Sequence, residues 1–183
     1  MPFKFRSLEI PDIVVIEYIS FPDHRGFFAE IYKRSDFLSN GIPYDYTQTN
    51  MIYSRRGAVR GLHYQLKPAE QGKLVYVIQG RIYDVAVDIR RGSPYYGRYI
   101  AEEIYPGKAI WIPPGFAHGF QALEDSIVVY MVTKEYSPPH ERCIYWRDED
   151  LAIKWPLQEA ILSERDSRCP KFRDAETNFG YPL

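Results

Sequence analysis

The chain has 183 residues, a length that fits one domain and argues against two independent folds. Hydrophobic residues make up 45% and charged residues 26%, which excludes a disordered chain. The 23 basic and 24 acidic side chains leave a net charge of −1, so no overall field favours nucleic acid or an anionic membrane, and an anionic partner must be held locally.

From the N-terminus, residues 1–18 contain no apolar run of signal-peptide length, and no later stretch approaches the ~20 residues a membrane helix needs. A cytoplasmic protein without membrane or nucleic-acid partner is therefore expected. A β-rich run over Ile13–Ile19 is followed by a helical turn at Ser35–Asn40, closed by Gly41. Further β-rich runs follow at Gln48–Tyr53, Lys73–Ile78, Arg81–Ile89, Arg98–Tyr105, Ala109–Ile112 and Ser126–Thr133. Gly and Pro turn signals separate them at the ~8–12-residue spacing of a sandwich or barrel. In Tyr83–Ile89, Val85, Val87 and Ile89 alternate with Asp84, Ala86 and Asp88, which predicts a strand with one buried face. Asp148–Trp155 reads as a short helix or turn stopped by Pro156, and an irregular tail follows. One domain over residues 1–183 is expected, with a barrel core at about 45–135 on which the N-terminal strands and the tail pack.

Aromatic residues reach 16% of the chain, with 16 tyrosines, each combining a ring that can be buried and a hydroxyl that can bind or donate a proton. Cys143 and Cys169 fit none of the paired zinc-site spacings, and two thiols are too few for a disulfide scaffold. Free, partly buried cysteines are expected, with one disulfide as the alternative for a thermophile chain.

The four histidines limit the candidates for a base near neutral pH. Two lie in spaced motifs. Gly107-x5-Pro113-x-Gly115-x2-His118 resembles the second motif of the cupin superfamily, and Gly57-x5-His63 resembles the start of the first. That first motif would continue with a second histidine and a glutamate, but Gln65 and Lys73 stand there. Replacing two ligands by an amide and a cation removes donors and charge from a metal site, so the barrel is expected to be kept and the metal lost. From Tyr46 to Ala69 there is no acidic residue, whereas Arg55, Arg56, Arg60 and Lys67 all fall there with Lys73 just beyond. A local anion site is one reading and a solvated basic loop the other, the latter favoured for Arg55-Arg56. Arg60 and His63 are three apart, which in a regular strand sets them on opposite faces unless Gly61 allows a bulge. Tyr130, in the strand run Val128–Thr133, and the charged stretch Leu162–Asp166 read by spacing alone as a core tyrosine and an exposed tail.

Taken together, the segments Asp23–Glu30, Gln48–Asn50, Val59–Gln65, Gln71–Val75, Asp84–Asp88, Ile112–Phe120, Ile153–Pro156 and Leu162–Asp166, with Tyr130, Tyr136 and Glu141, resemble the dTDP-4-dehydrorhamnose 3,5-epimerase family over nearly the whole chain. The resemblance implies an all-β, cupin-type jelly-roll barrel with a few short helices and an irregular C-terminal tail packed on it. It also implies a dTDP-4-keto-6-deoxyhexose substrate inverted at C3 and C5, both α to the C4 ketone, in dTDP-L-rhamnose biosynthesis. By the same resemblance, His63 would be the base, Asp166 its orienting carboxylate, Tyr130 the acid on the opposite face, and Lys73 the cation beside the ketone oxygen. Arg60 would meet the diphosphate, with Arg25 and Arg165 as further charge partners. Gln48, Thr49, Asn50, Glu30, Glu141 and His118 would contact substrate, while Tyr136 and Phe28 would enclose the thymine and its deoxyribose. The family usually has lysine where Arg165 stands, which leaves its direct contact open. No cofactor and no metal would be needed, and a homodimer with exchanged strands would let residues 25–30 of one subunit complete the pocket of the other. The alternatives are a single-centre nucleotide-sugar epimerase, a metal-dependent cupin enzyme using His63 and His118, and a binding module that has kept the pocket without turnover.

Overall fold

Alternating apolar residues between Gly and Pro turns produce thirteen strands and one short helix in the computed structural model, which describes residues 2–43 and 45–182. In chain order these are β1 (Phe3–Ser7), β2 (Val14–Tyr18), β3 (Ser20–Asp23), β4 (Gly26–Ala29), α1 (Arg34–Ser39), β5 (Gln48–Ser54) and β6 (Val59–Gln65). There follow β7 (Lys73–Gln79), β8 (Ile82–Asp88), β9 (Tyr99–Ile104), β10 (Lys108–Ile112), β11 (Phe116–Ala122), β12 (Ser126–Val132) and β13 (Glu141–Cys143). Two antiparallel sheets face each other, one ordered β1-β2-β10-β7-β12-β5 and the other β13-β6-β11-β8-β9. The hairpin β3–β4 forms a separate two-stranded ribbon. This is the jelly-roll sandwich of a cupin barrel.

Both sheets are covered on both faces. Between them lie Ile13, Val15, Val75, Val77, Ala86, Ile110, Phe116 and Val128. Outside the six-stranded sheet, Phe3, Phe37 of α1 and Ile42 cover Ile16, Leu74, Tyr76 and Trp111. Outside the five-stranded sheet, the C-terminal region lays Trp146, Leu151, Trp155 and Phe179 over Leu62, Tyr64, Val85 and Val87. Much of the aromatic content serves this outer packing, through contacts such as the edge-to-face pair Phe3–Phe37 at 5.4 Å and the tilted pair Trp146–Trp155 at 5.7 Å.

The expectation of one buried face for β8 is corrected by this covering. Asp84, Val85, Val87 and Asp88 are all fully buried because the tail closes the face that would otherwise meet solvent. The two aspartates survive burial because each has a cationic or imidazole partner. Asp84 holds His118, and Asp88 holds Arg90, whose guanidinium also reaches Asp12 and lies over the rings of Phe116 and Tyr181. Asp148–Trp155 is a series of turns without a helix, since the buried Asp148 carboxylate accepts the N–H groups of Asp150 and Leu151 and ties the chain locally. The cysteines expected as free thiols form the disulfide Cys143–Cys169. The fold brings β13 and the tail to a Cα–Cα distance of 5.6 Å, within bridging range, which linear spacing does not reveal.

Candidate active site

On β6, Leu62 and Tyr64 pack outward under the tail, so strand alternation turns His63 and Gln65 into the barrel. Arg60 is an odd three residues before His63, yet both line one cavity of about 510 Å³. The register explains this: His118 of β11 lies opposite His63, but Phe120 lies opposite Arg60, so β6 carries one extra residue as a bulge. Gly61 makes the bulge possible, with φ +133° and a position where an added Cβ would fall 2.5 Å from the Cα of Gly119.

His63 Nε2 lies 2.7 Å from Asp166 Oδ1. Asp166 sits at the start of a 3-10 turn, Asp166–Arg168, in the tail, and its N–H donates to Ser163 Oγ at 3.0 Å. Burial pushes its carboxyl up, but hydrogen bonding from His63 and the His63 charge, with smaller help from the Gly61 backbone and Ser163, holds it below the usual carboxylate range. An ionised carboxylate on Nε2 fixes the proton there and leaves Nδ1 as the basic nitrogen.

His118, opposite His63 on β11, is buried and lies 2.8 Å from Asp84 through its Nε2. Burial pushes its pKa down, with Asp84 opposing. On the facing sheet, Lys73 opens β7 and reaches into the same cavity. Desolvation pushes its ammonium down to about 8, with Glu141 and Asp84 acting against the fall. Among the described residues no carboxylate lies within ion-pair distance of Lys73, so Glu141 and Asp84 act on its charge only at longer range.

Tyr130 of β12, paired in register with Val75 and Asn50, also faces the cavity. Burial raises its phenol pKa, partly offset by the nearby Arg60 guanidinium, so the group is a neutral donor at physiological pH. Arg60 is oriented before any ligand binds, with Nε donating to Ser54 Oγ at 2.9 Å and Nη2 to the carbonyl of Tyr53 at 3.0 Å. At the mouth, Arg165 pairs with Glu141 at 2.8 Å and the Tyr136 hydroxyl donates to the same carboxylate. Gln48 and Asn50 line an adjoining depression shared with His63, Lys73 and Tyr130. Apolar walls come from Ile52, Val75, Phe120, Val128, Ile161 and Leu162.

The cavity thus gathers His63, Tyr130, Asp166, Lys73, Arg60, His118, Tyr136, Glu141 and Arg165, with Gln48 and Asn50 beside it. It does not gather Thr49, which alternation puts on the exposed face of β5. Arg25 and Phe28 stand on the exposed hairpin, where Arg25 pairs with Asp23, and Glu30 is half-buried beyond the hairpin. Of the basic segment, Arg55, Arg56 and Lys67 are exposed and outside the cavity, so the anion-site reading narrows to Arg60 and Lys73. Two contributors had escaped individual notice. Asp84 falls on the parity of β8 that alternation assigns to solvent, and only the covering of both faces buries it, while Ser163 had no readable signal because only the tail's path gives it a role. Among the described residues, no group of three or more His, Cys, Asp or Glu side chains is arranged to hold a metal ion.

Fold and pocket together define a cupin-type barrel with acid–base groups on facing sheets. Residues 7–174 match the family described as dTDP-4-dehydrorhamnose 3,5-epimerase. A Pseudomonas aeruginosa protein named dTDP-4-dehydrorhamnose 3,5-epimerase is 46% identical, covering 94% of this chain and 98% of that protein. The crystal structure of the Sulfolobus tokodaii dTDP-4-dehydrorhamnose 3,5-epimerase superposes with a TM-score of 0.90 at 53% identity, covering 97% of this chain and 99% of that one. A Legionella pneumophila 3,5-epimerase, solved with dTDP-4-keto-L-rhamnose, gives a TM-score of 0.90 at 37% identity over 93% of each chain. The chain belongs to the dTDP-4-dehydrorhamnose 3,5-epimerase family and is an isomerase of nucleotide sugars. Among the described residues no helix is long and apolar enough to cross a membrane.

Proposed function

We propose that the protein converts dTDP-4-keto-6-deoxyglucose into dTDP-4-keto-L-rhamnose by inverting C5 and C3, a step in dTDP-L-rhamnose formation. The observation that carries this reading is the placement of His63 on one sheet and of Tyr130 and Lys73 on the facing sheet of one cavity. A carbon α to a ketone loses its proton to the imidazole Nδ1 as the electron pair moves onto the ketone oxygen. Lys73 stabilises that oxyanion, and Asp166 stabilises the imidazolium. The phenol of Tyr130 then delivers a proton to the other face of the same carbon, and the phenolate and imidazolium re-equilibrate with solvent. Arg60 carries the diphosphate, and Tyr136 covers the base.

The exposed hairpin fits the same reading. Phe21, Phe27 and Phe28 are 51%, 75% and 65% accessible, too much apolar ribbon for an isolated chain. In a strand-exchanged homodimer the hairpin would carry Arg25, Phe28 and Glu30 to the neighbour's pocket.

The test is turnover of dTDP-4-keto-6-deoxyglucose in deuterium oxide, followed by NMR of the product. The expected result is deuterium at both C3 and C5 with the L-rhamno configuration. Label and inversion at one carbon only would make the protein a single-centre epimerase, and bound substrate without label would make it a binding module.

A further inference from the structure

The disulfide has no part in the proton transfers, yet its two ends lie beside the two halves of the imidazole–carboxylate pair. Cys143 is the residue of β13 directly opposite His63 in the β13–β6 register. Cys169 closes the 3-10 turn that begins with Asp166. The same two segments are joined a second time by Arg165 and Glu141 at 2.8 Å.

Asp166 needs such a tie because the segment that bears it belongs to no sheet. Upstream, the tail is fixed where Ile161 pairs with Ala58, its carbonyl accepting the Val59 N–H at 2.9 Å. Downstream, it is fixed by Cys169 and by the Tyr145 N–H donating to the Pro170 carbonyl at 2.7 Å. Between these anchors residues 162–168 form a turn that is exposed apart from Leu162, which packs on the core outside the five-stranded sheet, and the buried Asp166; its polar contacts with the barrel run through Asp166 and Arg165. Within the turn the hydrogen bonds of Ser167 and Arg168 to Glu164 are exposed, which favours local opening, and a displacement of about 1 Å at a catalytic group can cost up to ~10²-fold in rate.

We propose that the Cys143–Cys169 disulfide is a positioning device that holds the Asp166 carboxylate against His63, so that it sets turnover as well as stability. The inference rests on the role of His63 argued above. Cys143 and Cys169 touch neither substrate nor reacting atoms and act through Asp166.

The experiment compares the oxidised protein, the same protein reduced by dithiothreitol, and the double variant Cys143→Ala/Cys169→Ala, all well below the measured Tm of the reduced form. Reduction delivers two electrons and two protons to the bridge, and dithiothreitol leaves as its cyclic disulfide. The expected result is a fall in kcat of about tenfold in both bridge-free forms, larger than any change in KM. Reoxidation restores the rate of the reduced protein, and the double variant ignores dithiothreitol. The downfield ring N–H resonance of His63, assigned by its loss in His63→Asn, is sharp in the oxidised protein and shifts or broadens without the bridge. An unchanged kcat or an unchanged resonance overturns the proposal, even if Tm falls. Failure of the oxidised protein to put solvent deuterium into the sugar would instead remove the epimerase reading, and the resonance comparison would still decide the positioning role.

Discussion

Lys73 keeps a charge in a place that disfavours it. Burial lowers its pKa from 10.5 to about 8, so between those values the unfolded chain binds a proton that the folded chain does not. By linkage, stability rises with pH across that window, and at neutral pH the charged ammonium costs folding free energy. Lys73→Met should therefore raise Tm, by about 2–4 °C for each kcal/mol relieved in a protein of this size, while removing most of the epimerase rate. Calorimetry and steady-state kinetics on the same sample check both halves. In the wild type the rate should fall as pH climbs through about 8 and the ammonium discharges. Tyr130 differs, since burial raises its pKa and keeps its phenol neutral, the state the proposed donor role requires. Tyr130→Phe should lower epimerisation by about 10²-fold while exchange of the α proton with solvent continues, read by deuterium uptake without inversion.

Among the elements, β6 and the tail make the site. The bulge at Gly61 points Arg60 and His63 into one cavity, and the close approach of Gly61 to Gly119 leaves no room for a side chain. Gly61→Ala should cost about 1–3 kcal/mol from backbone strain alone and lower Tm accordingly. It should also cut kcat/KM, because straightening β6 turns one of the two residues away; thermal denaturation and kinetics together test this. The bulge was readable as a need, since the odd spacing of Arg60 and His63 required one and glycine permits one. The strands β2, β5, β7, β8, β9, β10 and β12 were readable to within two residues, because runs rich in β-branched and aromatic residues are bounded there by turn signals. The short ribbon β3–β4 was not, as four-residue strands, one holding Pro22, carry too little periodicity.

For the whole molecule, the exposed hairpin and the cavity are far enough apart in function to be tested in trans. If Arg25 serves the neighbour's pocket, His63→Asn and Arg25→Ala should each be impaired alone yet regain activity when unfolded together and refolded. Half the dimers are then mixed and one pocket in each is intact, giving about a quarter of wild-type activity. Recovery absent from a mixture that light scattering shows to be dimeric would exclude sharing of the pocket.

The sequence by itself determined the strand pattern, the two histidine motifs, the loss of the second histidine and glutamate to Gln65 and Lys73, and the resemblance that assigns the family. Those features are local, set by period-two burial and by residue identity at fixed spacing. Only the tertiary structure decided that β8 is buried on both faces, that Asp84 and Ser163 hydrogen-bond with His118 and Asp166, and that Cys143 meets Cys169. Each depends on where an irregular tail lies on the barrel. Its path is fixed by the fit of Trp155, Phe179 and Asp166 onto surfaces distant in sequence, and no repeat along the chain encodes such a fit.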